Sequence, residues 1–171
     1  MSPSVQRKEY ALYSNMLYPT CLRILADAAE AEEAMHDTLL YYFSYQGTFG
    51  SEAQKKSWLY KVAASKSIDR LRKKHASLLI LEEEAPSCHP DDNPYNQTEQ
   101  DLTREIARVK QGLARLAPGY RTVLSLYLFE GYDFEEISSI LSLTSSAVRS
   151  QYVRGLARLR EILANHTTAN H

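Results

Sequence analysis

Cysteine is scarce in this 171-residue chain, and long apolar runs are missing from it. Its two cysteines, Cys21 and Cys88, stand far apart without CxxC spacing, so the sequence indicates neither a disulfide framework nor a zinc site. No apolar run approaches the roughly 18 residues that can cross a bilayer. Residues 1–8 also lack the apolar stretch of a signal peptide. We therefore expect a cytoplasmic protein with two ordinary thiols.

The net charge is small as well, at -1, which is unpromising for a nucleic-acid binder. Hydrophobic residues make up 44% and charged residues 24%, which is typical of a folded soluble protein and excludes global disorder. The charges are sorted along the chain, however, with a net +7 in residues 55–74, +3 in residues 145–161 and -7 in residues 82–101. Screening limits the reach of a charge to about 10 Å at moderate salt, so these local patches set the field that a phosphate feels.

No strand pattern competes with helical patterns in this sequence, so we predict an all-α fold. Residues 9–43 are rich in Ala, Leu, Met, Tyr and Glu, which predicts two helices broken near Asp27. A polar loop with Gly47 and Gly50 follows, and residues 57–75 predict a long basic helix. Four further helices are predicted at 100–116, 120–129, 134–142 and 145–163.

The composition changes sharply between these two sets of helices. Residues 81–101 contain three prolines, several Asn and Asp and a run of Glu, with almost nothing to bury. Such a segment is typical of a flexible linker. The sequence therefore predicts two small helical domains, at residues 5–80 and 102–165, and leaves their relative placement open.

The C-terminal domain carries a helix, a short turn and a second helix. Asp133 and Glu136 have the spacing of a capping box at the start of the first helix. Thr144 or Ser145 can cap the second. Along that second helix one stripe is apolar, as expected of a face packed on a core. Its members are Val148, Tyr152, Gly155, Leu156, Leu159, Ile162 and Leu163.

The opposite face of the same helix combines small residues, arginines and one valine. Small residues let a helix enter a major groove, arginine can reach guanine edges or phosphates, and an aliphatic group can contact a thymine methyl. A solvated amphipathic helix is the alternative, and the pattern alone does not decide between the two. The residues of this face are Ser146, Arg149, Ser150, Val153, Arg154, Ala157 and Arg160.

The basic helix of the N-terminal domain begins with aromatic residues and ends with a run of cations. Aromatic rings beside Lys and Arg suit unpaired bases, which stack on the rings while the cations neutralise the backbone. We expect the single Trp58 to lie in the core. The loop Tyr45 to Glu52 could present itself to a flipped base.

An acidic helix precedes the basic one and places Glu33 and Asp37 four residues apart, on one face. Nothing nearby in the sequence supplies a nucleophile or a second ligand set, so catalysis or metal binding is not indicated. We expect a solvated face or one that binds protein.

Two sets of motifs resemble the extracytoplasmic-function group of the sigma-70 family. Residues 30–40 (EAEEAMHDTLL) are similar to the acidic conserved helix of that family, and 58–63 (WLYKVA) with 68–74 (IDRLRKK) to its promoter-melting segment, all within region 2. Four further stretches of this chain resemble region 4 of the family: 116–124 (LAPGYRTVL), 130–137 (EGYDFEEI), 147–150 (AVRS) and 154–156 (RGL). The resemblance covers about residues 9–76 and 105–163.

The resemblance implies a sigma factor that binds core RNA polymerase and promoter DNA, with no cofactor and no catalysis of its own. It implies polymerase binding by Glu32, Glu33, His36 and Asp37. It implies engagement and melting of the -10 element by Lys61, Lys66, Arg70, Arg72, Lys73 and Lys74, together with the loop Tyr45 to Glu52. It implies reading of the -35 element by Ser146, Arg149, Ser150, Val153 and Arg154. Family members are often held inactive by an anti-sigma factor, frequently membrane-bound, so such a partner is implied here without membrane insertion of this chain.

Three other functions compete with this interpretation. A helix-turn-helix regulator that is not a polymerase subunit is the first, although it would need only one DNA-contacting module and so leaves the +7 segment unexplained. A nucleic-acid enzyme would need a cluster of catalytic carboxylates or a metal site, which the sequence does not indicate. A protein-interaction scaffold would show no steep salt dependence of DNA binding.

Overall fold

The computed structural model describes residues 2–78 and 99–168. These residues form seven helices and no strand, which confirms the predicted all-α class. The predicted linker falls mostly outside the described residues. Its last three residues, 99–101, belong to a helix. The helices are α1 (Pro3–Leu25), α2 (Ala28–Ser44), α3 (Glu52–Leu78), α4 (Glu99–Ala114), α5 (Pro118–Leu128), α6 (Phe134–Leu141) and α7 (Ser145–Thr168).

The break predicted near Asp27 separates α1 from α2. Ala26 adopts a left-handed conformation with φ 52, and its N–H donates to the carbonyl of Leu22, which ends α1. The Asp27 carboxylate then accepts a hydrogen bond from the backbone N–H of Glu30 at 3.0 Å and caps α2. Two local hydrogen bonds therefore fix the angle between the first two helices.

The basic helix α3 is longer than the sequence predicted, at both ends. The hydroxyl oxygen of Ser51 accepts from the backbone N–H of Gln54 at 3.1 Å, and this cap starts the helix several residues before Trp58. As a result Lys55 and Lys56 already lie on α3.

Helices α1, α2 and α3 pack around one apolar core, which forms the N-terminal module. Each helix contributes side chains that are almost completely buried, and one of these, Tyr13, also donates a hydrogen bond from its hydroxyl to Glu52 at 2.7 Å. Burial and this hydrogen bond raise the pKa of Tyr13 to about 12. The core includes Leu17, Cys21 and Ile24 of α1, Ala31, Ala34 and Leu39 of α2, and Leu59, Ala63 and Ile68 of α3.

Helices α4 to α7 form the C-terminal module. Leu113, Leu116, Leu124 and Leu159 are buried together where α4, α5 and α7 meet. Gly112 lets α4 approach α7 closely, since an added Cβ would lie 2.8 Å from Leu159 Cδ1.

The two modules pack against each other, a placement that the sequence left open. Helix α5 lies against α1, and α6 lies against α3. Val123 and Leu126 of α5, with Ile137 and Leu141 of α6, belong to the same buried cluster as the core of the N-terminal module. One apolar core therefore runs from one module into the other.

Candidate nucleic-acid interface

Helix α6, the turn after it and the start of α7 form a helix-turn-helix. The Asp133 carboxylate accepts from the backbone N–H of Glu136 at 2.8 Å, and the Glu136 carboxylate accepts from the N–H of Asp133 at 3.0 Å. This confirms the predicted capping box. Ser142 then ends α6 in a left-handed conformation with φ 55. The Thr144 hydroxyl oxygen accepts from the N–H of Ala147 at 3.1 Å and caps α7.

The predicted apolar stripe of α7 is the face that packs inward. Val148 is fully buried and Leu159 nearly so. Gly155 lies so close to α5 that an added Cβ would be 3.0 Å from Tyr120 Cβ. Tyr152 packs against the rings of Tyr127 and Phe134, at centroid distances of 4.7 and 5.3 Å. Since these contacts fix the rotation of α7, they decide which face points outward.

The outward face of α7 is the one that the sequence pattern selected. All seven of its predicted members are exposed, and Val153 presents 63% of its surface to solvent. The guanidinium of Arg149 lies 5.6 Å from the ring centre of Phe134, so packing on α6 directs this arginine. Glu161, one turn after Ala157, is the acidic residue on this side of the described part of α7, and it pairs with Arg158 at 2.8 Å. A helix with small residues, arginines and one aliphatic group exposed in this way suits a major groove.

The cations predicted to act at the -10 element lie along α3, in different environments. Lys61 is exposed, and Lys66 lies with its ammonium 5.4 Å from the ring centre of Tyr41. Lys73 and Lys74 are exposed near the end of the described side chains, and the ammonium of Lys74 lies 3.6 Å from the carboxylate of Asp27.

Two arginines of the predicted -10 set already bind protein groups. Arg70 donates to Glu30 at 2.7 Å and to Asp37 at 3.2 Å, and its guanidinium lies 3.6 Å from the Glu33 carboxylate. The hydrogen bond to Glu30 is the main reason why the pKa of Arg70 is raised. Arg72 donates to the carbonyl oxygen of Leu141, at the end of α6, at 2.9 Å. The sequence did not indicate either pairing.

The acidic face of α2 contains the four residues predicted to bind polymerase. Glu33 and Asp37 both pair with the Arg70 guanidinium, whereas Glu32 is exposed and forms no described ion pair. His36 is hydrogen-bonded through Nε2 to the hydroxyl of Tyr10 at 2.7 Å. The face is therefore a surface of carboxylates, part of it held in place by an arginine from the neighbouring helix.

An aromatic cluster joins α2, the following loop and α3. Trp58 was expected in the core, and it packs against the buried core cluster but is itself only partly buried. Tyr41 stacks with it at 5.6 Å and 17°, and Tyr45 lies 4.8 Å away. Both tyrosines keep more than a third of their surface exposed. The cluster offers aromatic faces beside Lys66, which suits unpaired bases.

The sequence missed the polar contact between the modules. Glu130, immediately after α5, accepts from the Thr20 hydroxyl at 2.6 Å and from the Arg23 guanidinium at 2.5 Å. Its side chain is only 6% exposed. Arg121 is also buried, and its Nε donates to the carbonyl of Ile24 at 2.9 Å. Burial lowers the pKa of Arg121.

Metal-binding and membrane-spanning features are both missing from the described ranges, 2–78 and 99–168. These ranges contain no group of three or more His, Cys, Asp or Glu residues placed to hold a metal ion. Among their helices, none is both long and apolar enough to span a bilayer.

Two ranges of this chain match models of known protein regions. Residues 10–77 match the model described as Sigma-70 region 2, and residues 106–159 match Sigma-70, region 4. The ECF RNA polymerase sigma factor SigW of Bacillus subtilis is 26% identical over 161 residues, covering 89% of this chain and 85% of SigW. RNA polymerase sigma factor CarQ of Myxococcus xanthus is 28% identical over 145 residues, covering 82% of this chain and 79% of CarQ.

A solved structure has the same fold. It is the sigma factor RpoE of Bartonella quintana in complex with the anti-sigma factor NepR, with a TM-score of 0.64 and 20% identity, covering 92% of this chain and 96% of RpoE. The two matched regions define a helical transcription initiation factor with separate region 2 and region 4 modules. The chain belongs to the sigma-70 family, in its extracytoplasmic-function (ECF) group. The alternative of a helix-turn-helix regulator outside that family is not favoured.

Proposed function

We propose that this ECF sigma factor binds core RNA polymerase in the cytoplasm, recognises the -35 and -10 elements and assists promoter melting, without being an enzyme itself. Two functional modules, residues 5–80 and 102–165, divide this work. The exposed face of α7 is the observation that carries the proposal, because packing on α5 and α6 leaves its small residues, Arg149, Arg154 and Val153 available to a groove.

The -35 element is read by α7. Ser146 and Ser150 are small enough to let the helix axis approach the bases, and Arg149 and Arg154 reach guanine edges or phosphates. Val153, with 63% of its surface exposed, contacts a thymine methyl. No nucleotide or metal is needed for these contacts.

The -10 element is engaged by α3 and the aromatic cluster. Lys61, Lys66, Lys73 and Lys74 bring positive charge to the strand, and Tyr41 and Tyr45 present rings on which unpaired bases stack. Stacking contributes about 1–3 kcal/mol per base, so melting is driven by binding to the separated strand. Arg70 and Arg72 complete the proposed -10 set. Arg70 also donates hydrogen bonds to carboxylates of α2, and Arg72 donates one to the end of α6.

Core polymerase binds the acidic face of α2, through Glu32, Glu33, His36 and Asp37. The support is that Arg70 fixes part of this face while leaving its carboxylates partly exposed, so a basic partner meets a surface that is already ordered. An anti-sigma factor is proposed as a further partner, because RpoE, which shares this fold, was solved in complex with one.

Transcription by purified core polymerase on fragments of the source genome, with and without this protein, tests the proposal. Discrete new transcripts that depend on the protein support a sigma factor. Salt-sensitive DNA binding without any new transcript, on fragments that include the bound sites, would contradict it and favour a stand-alone regulator.

A further inference from the structure

We propose that Lys55 is a positioning residue for promoter melting, which holds the loop 45–51 and the aromatic cluster in the geometry that receives an unpaired base. It acts through a polar network with Glu9 and Glu52 and does not contact DNA itself. The inference rests on the proposed function, because the aromatic cluster is proposed there as the surface on which bases of the -10 element stack. The charge pattern alone grouped Lys55 with the other cations of the +7 segment.

Both ends of the loop 45–51 are tied to one part of α1. The Tyr42 hydroxyl, near the end of α2, donates to the Glu9 carboxylate at 3.0 Å. The Tyr13 hydroxyl donates to Glu52, the first residue of α3, at 2.7 Å. Glu9 and Tyr13 are four residues apart, so they are neighbours on the surface of α1. The loop therefore connects two positions that are hydrogen-bonded to the same turn of α1.

Lys55 joins these two attachments. Its ammonium lies 3.4 Å from the Glu9 carboxylate and 3.0 Å from the Glu52 carboxylate. It also lies 5.6 Å from the ring centre of Tyr13. Hydrogen bonds from Tyr13 and then Lys55 lower the pKa of Glu52, so this carboxylate stays ionised at neutral pH. One cation thus links the carboxylate that binds the end of α2 to the carboxylate that begins α3.

The surroundings of Lys55 separate it from the cations proposed to meet DNA. The side chains of Lys55 and Glu9 are only 17% and 19% exposed, so salt screens this pair less than a surface pair. With two carboxylates beside it, Lys55 adds little net charge to the surface of α3. Lys61, six residues later on the same helix, is exposed. The structure therefore favours an internal role for Lys55.

The network reaches the aromatic cluster through Tyr42. While its hydroxyl is bound to Glu9, its ring packs against Phe49 and Trp58, at centroid distances of 6.4 and 6.5 Å. Tyr42 is buried, so its ring has little room to move. Phe49 in turn lies 5.4 Å from the rings of both Tyr45 and Trp58. A displacement of Tyr42 would therefore displace the rings proposed to stack on bases.

Hydrogen bonds and packing also order the loop itself. The backbone N–H of Gly50 donates to the side-chain oxygen of Gln54 at 2.8 Å. The ring of Tyr45 lies directly over Gly47, where it leaves no space for a Cβ. Tyr45 nevertheless keeps 39% of its surface exposed, so its ring is fixed and still accessible. A surface that is ordered before binding gains affinity, because less conformational entropy is lost on binding.

The test compares variants of Tyr13 and Lys55. Tyr13 is 1% exposed and cannot reach DNA, and Tyr13→Phe removes only the hydroxyl that binds Glu52. Lys55→Gln removes the cation, whereas Lys55→Arg keeps it. Cys21→Ala is the matched control, because Cys21 is buried in the same core about 12 Å further along α1. It weakens the packing of α1 without touching the network.

Two quantities are measured for each variant. The first is the affinity of the holoenzyme, assembled with core polymerase, for the single-stranded -10 element of a promoter found in the transcription experiment, at several salt concentrations. The second is the quenching of Trp58 fluorescence by acrylamide in the free protein. Trp58 is the only tryptophan of the chain, so its fluorescence reports on the aromatic cluster. Circular dichroism and the affinity for core polymerase show that each variant folds and assembles.

For Tyr13→Phe and Lys55→Gln we expect Trp58 to be quenched more readily and the affinity for the single strand to fall about tenfold. A fall of this size corresponds to a decrease of the competent geometry from about 90% to about 9% of the molecules. The slope of log affinity against log salt should not change, because no phosphate contact is lost. Lys55→Arg and Cys21→Ala should behave as the wild type does.

Wild-type affinity for the single strand in folded Tyr13→Phe and Lys55→Gln would overturn the proposal, whatever the quenching shows. A loss confined to Lys55→Gln, with a slope smaller by about one, would also overturn it, since Lys55 would then contact a phosphate. An equal loss in Cys21→Ala would show that the effect is one of stability. Failure of the proposed function looks different, because the wild-type holoenzyme would then neither bind the single-stranded -10 element nor give new transcripts.

Discussion

Arg70 on α3 and Asp37 on α2 lie 3.2 Å apart, although the family resemblance assigns them to different partners, promoter DNA and polymerase. The same guanidinium donates to Glu30 at 2.7 Å. Because these carboxylates surround it, much of the charge of Arg70 is neutralised within the protein. Arg70 therefore links the surface proposed to bind polymerase, on α2, to the surface proposed to act at the -10 element, on α3.

Replacing Arg70 should affect DNA binding less than replacing a cation without such partners. For Lys61→Gln we expect the slope of log affinity against log salt to fall in magnitude by about one, because one phosphate contact is lost. For Arg70→Gln we expect little change in slope and a loss of about 1 kcal/mol in the free energy of unfolding, since the network is partly exposed. Salt titrations of promoter binding and urea unfolding of both variants measure this. Equal slope changes for the two variants would show that Arg70 contacts DNA as Lys61 does.

Arginines on the outward face of α7 should control promoter choice. Arg149→Ala and Arg154→Ala would each remove a proposed DNA contact, and a good contact of arginine with a base contributes about 1–3 kcal/mol. We expect promoter-selective initiation to be lost while affinity for core polymerase is unchanged. Arg158→Ala is the matched control, because Arg158 lies off this face and pairs with Glu161. Transcription and polymerase binding are measured in parallel for each variant. Equal loss of both activities would contradict the assignment of α7 to the -35 element.

Charge reversal on α2 should have the opposite effect to the α7 substitutions, because it should weaken binding to polymerase and leave binding to DNA intact. Glu33→Lys/Asp37→Lys places positive charge where a basic partner is proposed, which costs several kcal/mol at an interface. We expect affinity for core polymerase to fall and salt-sensitive DNA binding to persist. The control is Asp101→Lys/Glu105→Lys, which reverses two exposed acidic residues at the same spacing on α4. If the α2 variant binds polymerase as the wild type does, the acidic face is not the docking surface.

Close packing of α7 on α5 should make Gly155 intolerant of a side chain. An added Cβ would lie 3.0 Å from Tyr120 Cβ and 3.4 Å from Leu124 Cδ1, and the first of these atoms cannot move without its helix. We expect Gly155→Val to lower the free energy of unfolding by about 1–3 kcal/mol through overpacking. Ala157→Val, on the exposed face, should change it by no more than about 0.5 kcal/mol. Thermal and urea unfolding compare the two, and similar losses would show that Gly155 is not in a tight contact.

The sequence predicted the features that depend on residues close together in the chain, namely helix caps and helix faces. The capping box depends on Asp133 and Glu136, three residues apart, and it forms as predicted. The inward and outward faces of α7 follow from helical periodicity, since seven apolar positions on one stripe leave the other face to solvent. The break at Asp27 is fixed by a cap to Glu30, again within one turn.

Contacts between distant residues could not be predicted in the same way. Arg23 and Glu130 are 107 residues apart in the chain, and no spacing rule relates them. The pairing of Arg70 with α2 and of Arg72 with the end of α6 depends on how helices pack, which propensity and periodicity do not specify. Trp58 packs against the core as expected but is only partly buried, because two of its other neighbours, Tyr41 and Tyr45, are exposed. The residue roles at the promoter and at the polymerase stay predictions.

The division of labour between α7 and α3 is tested most directly by site-specific photo-crosslinking in the open complex with core polymerase. A photoreactive residue is placed either at Val153 or at Lys61, and the crosslinked promoter positions are mapped. The account predicts that the residue at 153 crosslinks to the -35 element and the residue at 61 to the -10 element. Crosslinks from both positions to a single element, or an exchange of the two elements, would contradict it.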